Sequence, residues 1–581
     1  MARARKSRSG RNGRKPARRR GPSAVRRLAD EVWDATMREA PTWATFVGDR
    51  RFEHRLEERG EGARARRLAT AKGFLARLRK TPGRGLDEED AITRSVLRRI
   101  LEETIESFTH HGWEWEFNQL NGLHVELQDL LAFHPLRDAR GAENLVARLE
   151  AAPAAFLGLK ADLRDGLRSG RVVPRVAYDR CVAQLRAFLD TPWERTPFGR
   201  AAANLPKSLK AADRARIGAD LARAVRGKVI PAYRDLAVFL ETEYAGRARE
   251  EVGVHAIPGG REAYAFAVRS QTTTDLSAEE IHRVGLAELE GNKAEMLEIA
   301  RRGGHRGDLR SYLDGLMAEP RFRMKTKGQL LGRYRAILKR MDAALPKAFG
   351  LLPRTPYRVD PMPAYKEKDA PAAYYYPPSD DGKRPGIFFA NMHDPPSWPT
   401  YEMETLSYHE AVPGHHLQIA VAMERRNLPS IRRHSLYTAY VEGWAHYAER
   451  LSGEMGMFSS DEDRVGMLAG QAWRAARLVV DTGMHHYGWP RERAVAVLRE
   501  IKTGPEQETG NEIDRYIVWP GQALAYKVGH RCIAALREKA RSRMGDGFDL
   551  RGFHDEVLRH GALPLSVLEE VVDRWAAGAA G

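Results

Sequence analysis

The chain has 581 residues, 43% of them apolar and 30% charged, with two cysteines and a formal net charge of +17. That length accommodates two or three packed subdomains, and the composition is that of a globular protein rather than a disordered or fibrous one. No run approaches the roughly 18 apolar residues of a membrane span. Cys181 and Cys532 are too few for a disulfide framework or a thiolate cluster, so a metal here needs His and carboxylates.

The charge is uneven. Residues 1–20 hold ten Lys or Arg and no Asp or Glu, which leaves +7 on the rest. A segment of that kind has almost nothing apolar to bury, so residues 1–24 are predicted to be a disordered basic tail. Its arginines are not followed by an apolar h-region, which argues against a secretory signal. The expectation is a cytoplasmic protein with no membrane partner, whose nucleic-acid contacts are confined to weak, salt-sensitive attraction by the tail. No recognition helix, zinc finger or aromatic RNA-binding signature points further that way.

Residues 25–250 read as an N-terminal helical region. Apolar residues recur at helical spacing, as in Leu120, Leu123, Leu127, Leu130 and Leu131, and breaks near Pro153, Pro192 to Pro197 and Pro206 divide the helices. Between Gly253 and Thr274 the pattern changes: Pro258-Gly259-Gly260 reads as a turn and Tyr264, Phe266 and Val268 alternate, which predicts a hairpin or edge strand. Ser277 to Glu280 then reads as a capping box opening a helix to about Arg301. Short β-branched and aromatic runs at 357–359, 373–376 and 386–391 predict one small sheet within about 355–392. Beyond Thr400, a candidate N-cap, the chain is helical again. The fold expected is mainly α, with residues 251–581 forming a helical region whose small sheet lies next to the motif helix.

That motif is His409-Glu410-Ala411-Val412-Pro413-Gly414-His415-His416. In the helical zinc motif His-Glu-x-x-His, two His four residues apart share a face and the Glu is the general base. Here the spacing is longer. On a regular helix His415 lies about 120° off the face of His409, and His416 returns to it but about 10 Å further along. Pro413 removes the amide that would bond the His409 carbonyl, and Gly414 tolerates unusual backbone angles, so the helix must bulge or break there. Either later His can then swing back towards His409; a helix–turn–helix with surface histidines is the alternative. Glu442, one helix on in Tyr440-Val441-Glu442-Gly443-Trp444-Ala445-His446-Tyr447, is the candidate third ligand, and Gly443 would let another helix approach closely.

The segments HEAVPGHHLQ at 409–418, EGWAHY at 442–447, DTGMH at 481–485 and EIDRYIVWPGQALAY at 512–526 resemble the bacterial DUF885 family, grouped with helical gluzincin-type metallopeptidases. The resemblance is strongest over about residues 250–575. It implies an α-helical metallopeptidase-like body with one catalytic Zn²⁺, His409, His415 and Glu442 as ligands, and Glu410 as general base. His415 is preferred to His416 because related motifs end in Gly-His.

Further candidates surround this set. Arg474, Arg477, Asp481 and His485 share one helix face, either as a salt-bridged surface or as a layer in which Asp481 orients His485 towards substrate. Arg515 and Tyr516 precede the Pro520-Gly521 break, and Gln522 and Tyr526 follow it. A Tyr or Arg near zinc can stabilise an oxyanion, with Tyr516 the first choice and Tyr526 the second. Residues Gly386 to Asn391 are read as an edge strand holding an extended peptide. The activity expected is hydrolysis of peptide bonds by metal-activated water; a metal-dependent amidase or esterase and a non-catalytic polyanion-binding protein are the alternatives.

Overall fold

The computed structural model describes residues 22–363, 367, 372–379, 384–501 and 506–579. Most of the expected basic tail therefore lies outside the described residues. The first helix, Ala24–Glu39, starts at its boundary, where the Ser23 hydroxyl accepts a hydrogen bond from the amide of Arg26. The fold is mainly α, with helices as far as Leu565–Ala579 and one three-stranded sheet. Both cysteines are free thiols. Among the described residues no helix is long and apolar enough to cross a membrane.

Local signals act where the sequence places them. Ser277 and Glu280 form a reciprocal capping box at the start of the helix Ala278–Arg302. Pro153 and Pro197 stand in the first turns of their helices, where a missing amide costs nothing. Three expectations fail. Residues Gly260–Thr272 are a helix, not a hairpin: Tyr264 and Val268, four apart, are buried on one face, so the spacing that packs is helical although the residue types favour a strand. Thr400 begins a 3₁₀ turn rather than capping the motif helix, which starts at Met403. Leu120 is exposed and precedes the short helix Leu123–Asp129, while Leu123, Leu127 and Leu130 are buried.

The sheet comprises β1 (Tyr357–Pro361), β2 (Ala373–Tyr376) and β3 (Gly386–Ala390) in the order β1-β3-β2. Strand β3 pairs parallel with β1 and antiparallel with β2. It is therefore central, not the expected edge strand, and its apolar residues are buried, with Phe388 packed against Tyr334 of the helix Lys327–Ala344. The edge facing the motif belongs to β2.

One apolar core, from Leu56 to Ala248, holds the N-terminal helices together. The largest core takes in the sheet, the motif and the C-terminal helices, and a third joins the helix Ala278–Arg302 to Asp461–His485. The first helices also pack on the C-terminal half, through a cluster that includes Val25, Leu97 and Ile431.

Candidate metal centre

The motif helix Met403–Glu410 ends at the general-base candidate, and a second helix, His415–Glu424, resumes after a four-residue break. Ala411 leaves helical space at φ −105°, ψ −100°, the Val412–Pro413 peptide is cis, and Gly414 has ψ −127°. A Cβ on Gly414 would lie 1.9 Å from the carbonyl oxygen of His409, so only glycine lets the chain fold back this tightly over the preceding turn. The Trp444 indole donates to the Pro413 carbonyl at 2.9 Å and pins the break. As a result the Nε2 atoms of His409 and His415 lie 3.4 and 3.5 Å from the same oxygen of Glu442. All three ligating atoms fall within 4.8 Å of one another. The two rings stand 4.8 Å apart at 84°.

The structure separates the two adjacent histidines. His416 points into the sheet: its Nδ1 meets the Tyr375 hydroxyl at 2.9 Å and its Nε2 meets the Thr355 carbonyl at 3.1 Å. Burial lowers its pKa to about 4, so it is a neutral brace. His415 turns its Nε2 to Glu442 and leaves a buried Nδ1 with no partner among the described residues. The break thus brings in His415, six residues on from His409.

His409 is fixed from behind. Its Nδ1 bonds Glu449 at 2.7 Å, which directs Nε2 to Glu442. Glu449 also accepts from Gln471, which in turn accepts from Lys527, so the orienting carboxylate is itself anchored. Burial alone would lower the pKa of His409, but Glu442 and Glu449 outweigh it and raise the value to about 9. Burial would raise the pKa of Glu442, yet His415 and His409 hold it well below the usual carboxylate range. Glu410 is half-buried beside this group, and burial raises its pKa against the pull of His415 and His409. The backbone N–H of Tyr375, on the β2 edge, bonds it.

Two imidazole nitrogens and a carboxylate oxygen form a donor set suited to zinc, with room for a fourth ligand. A second group, Glu88, Glu556 and His560, also has ligating atoms close together. There both His560 nitrogens are taken, by Glu89 at 3.0 Å and Glu556 at 3.1 Å.

A family model described as a bacterial protein of unknown function (DUF885) matches residues 41–572. The chain belongs to the DUF885 family. No protein of curated function matches it. Among solved structures, a "putative lipoprotein" from Colwellia psychrerythraea is 27% identical with a TM-score of 0.90, over 95% of this chain and 99% of that one. A "putative lipoprotein of unknown function" from Shewanella oneidensis shares the fold at 18% identity and a TM-score of 0.74, over 95% of this chain and 100% of that one.

The remaining candidates of this DUF885 chain divide into two groups. Arg515, Tyr516, Gln522 and Tyr526 meet in one network. The Tyr516 hydroxyl donates to Glu512 at 2.6 Å and accepts from Arg477 at 2.7 Å, so it is fully committed and buried. Arg515 pairs with Glu512 at 2.9 Å and donates to Gln522 at 2.7 Å. Tyr526 lies under the Arg477 guanidinium, 4.4 Å from its ring centre. Its pKa is raised by burial and then by the charge of Glu442.

Three candidates are structural. His485 is completely buried; its Nδ1 accepts from the Val254 amide and its Nε2 faces the Tyr516 carbonyl, both at 3.0 Å. It is a neutral strut and cannot touch substrate. Asp481 does not orient it, but accepts from the Tyr264 hydroxyl and the Gly521 amide. Asn391 is buried, its amide donating to the Glu367 carbonyl and its oxygen accepting from the His393 amide, so it shapes the turn after β3.

Sequence reasoning missed Glu449 and Glu512. Glu442, His446 and Glu449 are spaced four and three apart, which puts them on one helix face and was the available signal for the first. Nothing in the spacing of Glu512 distinguishes it from a surface acid.

Proposed function

We propose that the chain is a zinc-dependent peptidase, with His409, His415 and Glu442 holding the metal. The observation that carries this reading is the convergence of both histidine Nε2 atoms on one Glu442 oxygen, with Glu410 alongside and His409 held by Glu449. Zinc, when bound, supplies the Lewis acidity that polarises a carbonyl and lowers the pKa of water to about 7.

The chain's own groups do the rest. Glu410 takes the proton of the attacking water and returns it to the leaving amine. Its raised pKa suits that exchange, because a strongly acidic carboxylate would be a poor base. Tyr526 and the Arg477 and Arg515 guanidiniums beside it place positive charge and a phenol where the carbonyl oxygen becomes negative; one such donor is typically worth about 10² to 10³ in rate. The β2 edge offers backbone groups to an extended peptide next to Glu410, a role first assigned to Gly386–Asn391.

Hydrolysis of a mixed peptide library by the purified chain, before and after chelation and after zinc is restored, tests the reading. Cleavage lost on chelation and recovered with zinc supports it. An intact peptide library alongside cleaved ester or non-peptide amide probes would move the chain to another class of metal hydrolase. The two similar structures are described as lipoproteins, so cell fractionation must decide between the cytoplasm expected from the sequence and the cell envelope.

A further inference from the structure

Two guanidiniums share one carboxylate beside the metal centre. Arg477 reaches Glu512 at 3.2 Å and Arg515 reaches it at 2.9 Å, and the Tyr516 hydroxyl donates to it as well. The other bonds of the two arginines go to neutral groups, from the Arg477 Nε to the Tyr516 oxygen and from the Arg515 Nη1 to Gln522. The next carboxylate, Asp481, is held by the Tyr264 hydroxyl and the Gly521 amide rather than by either arginine. Burial raises its pKa to about 7, so it is no full counter-charge at neutral pH. The network thus carries one positive charge in excess, and a guanidinium cannot shed it by losing a proton.

That excess is not dissolved in water. Arg477 is 7% exposed, and its Nη1 has no hydrogen-bond partner among the described residues. Arg515 keeps 19% of its side chain accessible, so the pair can still be reached from outside. A buried guanidinium with too few acceptors is costly, and an arriving anion relieves that cost. The pair borders the metal centre through its helices. Tyr526, half-buried under the Arg477 guanidinium, stands about one turn before Gly529, whose backbone touches Gly443, the residue after Glu442.

We propose that Arg515 and Arg477 receive the free C-terminal carboxylate of the substrate, which makes the chain a carboxypeptidase acting close to the end of a peptide. This rests on the peptidase reading above. Tyr526 supplies the carbonyl oxygen with a donor, and the surplus charge serves the second anionic group. A guanidinium already oriented by Glu512 and Gln522 matches the planar fork of a carboxylate, and every unmodified peptide carries one at its end whatever its sequence. A neutral side chain at this position would leave the charge unmatched.

The test is hydrolysis, by the zinc-loaded full chain, of one N-blocked peptide offered as the free acid and as the C-terminal amide, with products read by mass spectrometry. The free acid should lose residues from its C-terminal end. The amide should be cut about 10- to 100-fold less efficiently in kcat/KM, the loss expected when a charged hydrogen-bonding partner is removed. Arg515→Gln should bring the two efficiencies together, whereas a merely structural role would slow both peptides alike and leave their ratio unchanged. The wild-type comparison decides even if that variant fails to fold. Equal cleavage of acid and amide, or an unchanged ratio in a folded Arg515→Gln, would overturn the assignment and leave the peptidase reading in place. An amide cut beside an internal Asp or Glu as fast as the free acid would move the carboxylate to a substrate side chain and equally overturn it. A zinc-loaded chain that cuts neither peptide would remove both readings.

Discussion

Gly443→Ala probes how the metal centre is held together. Gly443 meets Gly529 where the helix carrying Glu442, Thr438–Glu454, crosses Ala525–Met544. An added Cβ would lie 2.5 Å from the backbone carbons of Gly529 and 2.9 Å from the amide nitrogen of His530. Carbon atoms prefer about 3.5 to 4.0 Å, so the helices must part by about 1 Å. Alanine gains about 1 kcal/mol over glycine in helix propensity, while overpacking against a rigid backbone typically costs about 1–3 kcal/mol. The net loss in stability is therefore small, up to about 2 kcal/mol. The effect on the metal is larger, because Glu442 moves with its helix and ligands tolerate only about 0.5 Å of displacement. Competition with a chromogenic chelator should show zinc affinity reduced by about 10- to 100-fold, the range seen when ligand orientation is disturbed. Gly453→Ala on the same helix is the control, since its added Cβ meets the Phe458 ring at an ordinary 3.5 Å. Wild-type zinc affinity in Gly443→Ala would show that this helix contact does not position Glu442.

Three further outcomes follow from the same geometry. His416→Ala should keep the metal while losing about 1–3 kcal/mol of stability in denaturant titration, because the Tyr375 hydroxyl and Thr355 carbonyl lose their partner; loss of metal instead would reassign the ligand. Glu449→Gln should weaken zinc binding by about 10- to 100-fold with Glu442 and His415 intact, and unchanged affinity would remove Glu449 from the site. Asp481 has its pKa raised by burial from 3.8 to about 7. The fold holds this proton more tightly than the unfolded chain, so stability from the group is present near pH 4 and is lost as pH rises through about 7, by about 4 kcal/mol in all. Asp481→Asn should flatten the denaturant midpoint over that range, and identical pH profiles for both proteins would refute the assignment.

The mainly helical fold and the small sheet were legible because their signals are local: a capping box at Ser277, prolines in first turns, and three aromatic runs separated by Pro, Asp and Gly. The helix Gly260–Thr272 was misread because Tyr, Phe and Val at alternate positions carry strand propensity, and only tertiary packing showed that Tyr264 and Val268 share the buried face. The break at Pro413-Gly414 was predictable from backbone chemistry, but which histidine it delivers was not. That depends on a carbonyl at Thr355 and a hydroxyl at Tyr375, distant in sequence, which claim His416. For the same reason Tyr516 and His485 looked available: their partners Glu512, Arg477, Val254 and each other come together only in three dimensions.

The central claim is that His409, His415 and Glu442 form one zinc site with Glu410 as a base outside it. Elemental analysis of chains purified without chelators and reconstituted with zinc tests it most directly. The account predicts about one zinc per chain in the wild type and in Glu410→Gln, and essentially none in His415→Ala. No zinc in the wild type after reconstitution, or full zinc content in His415→Ala, would contradict it.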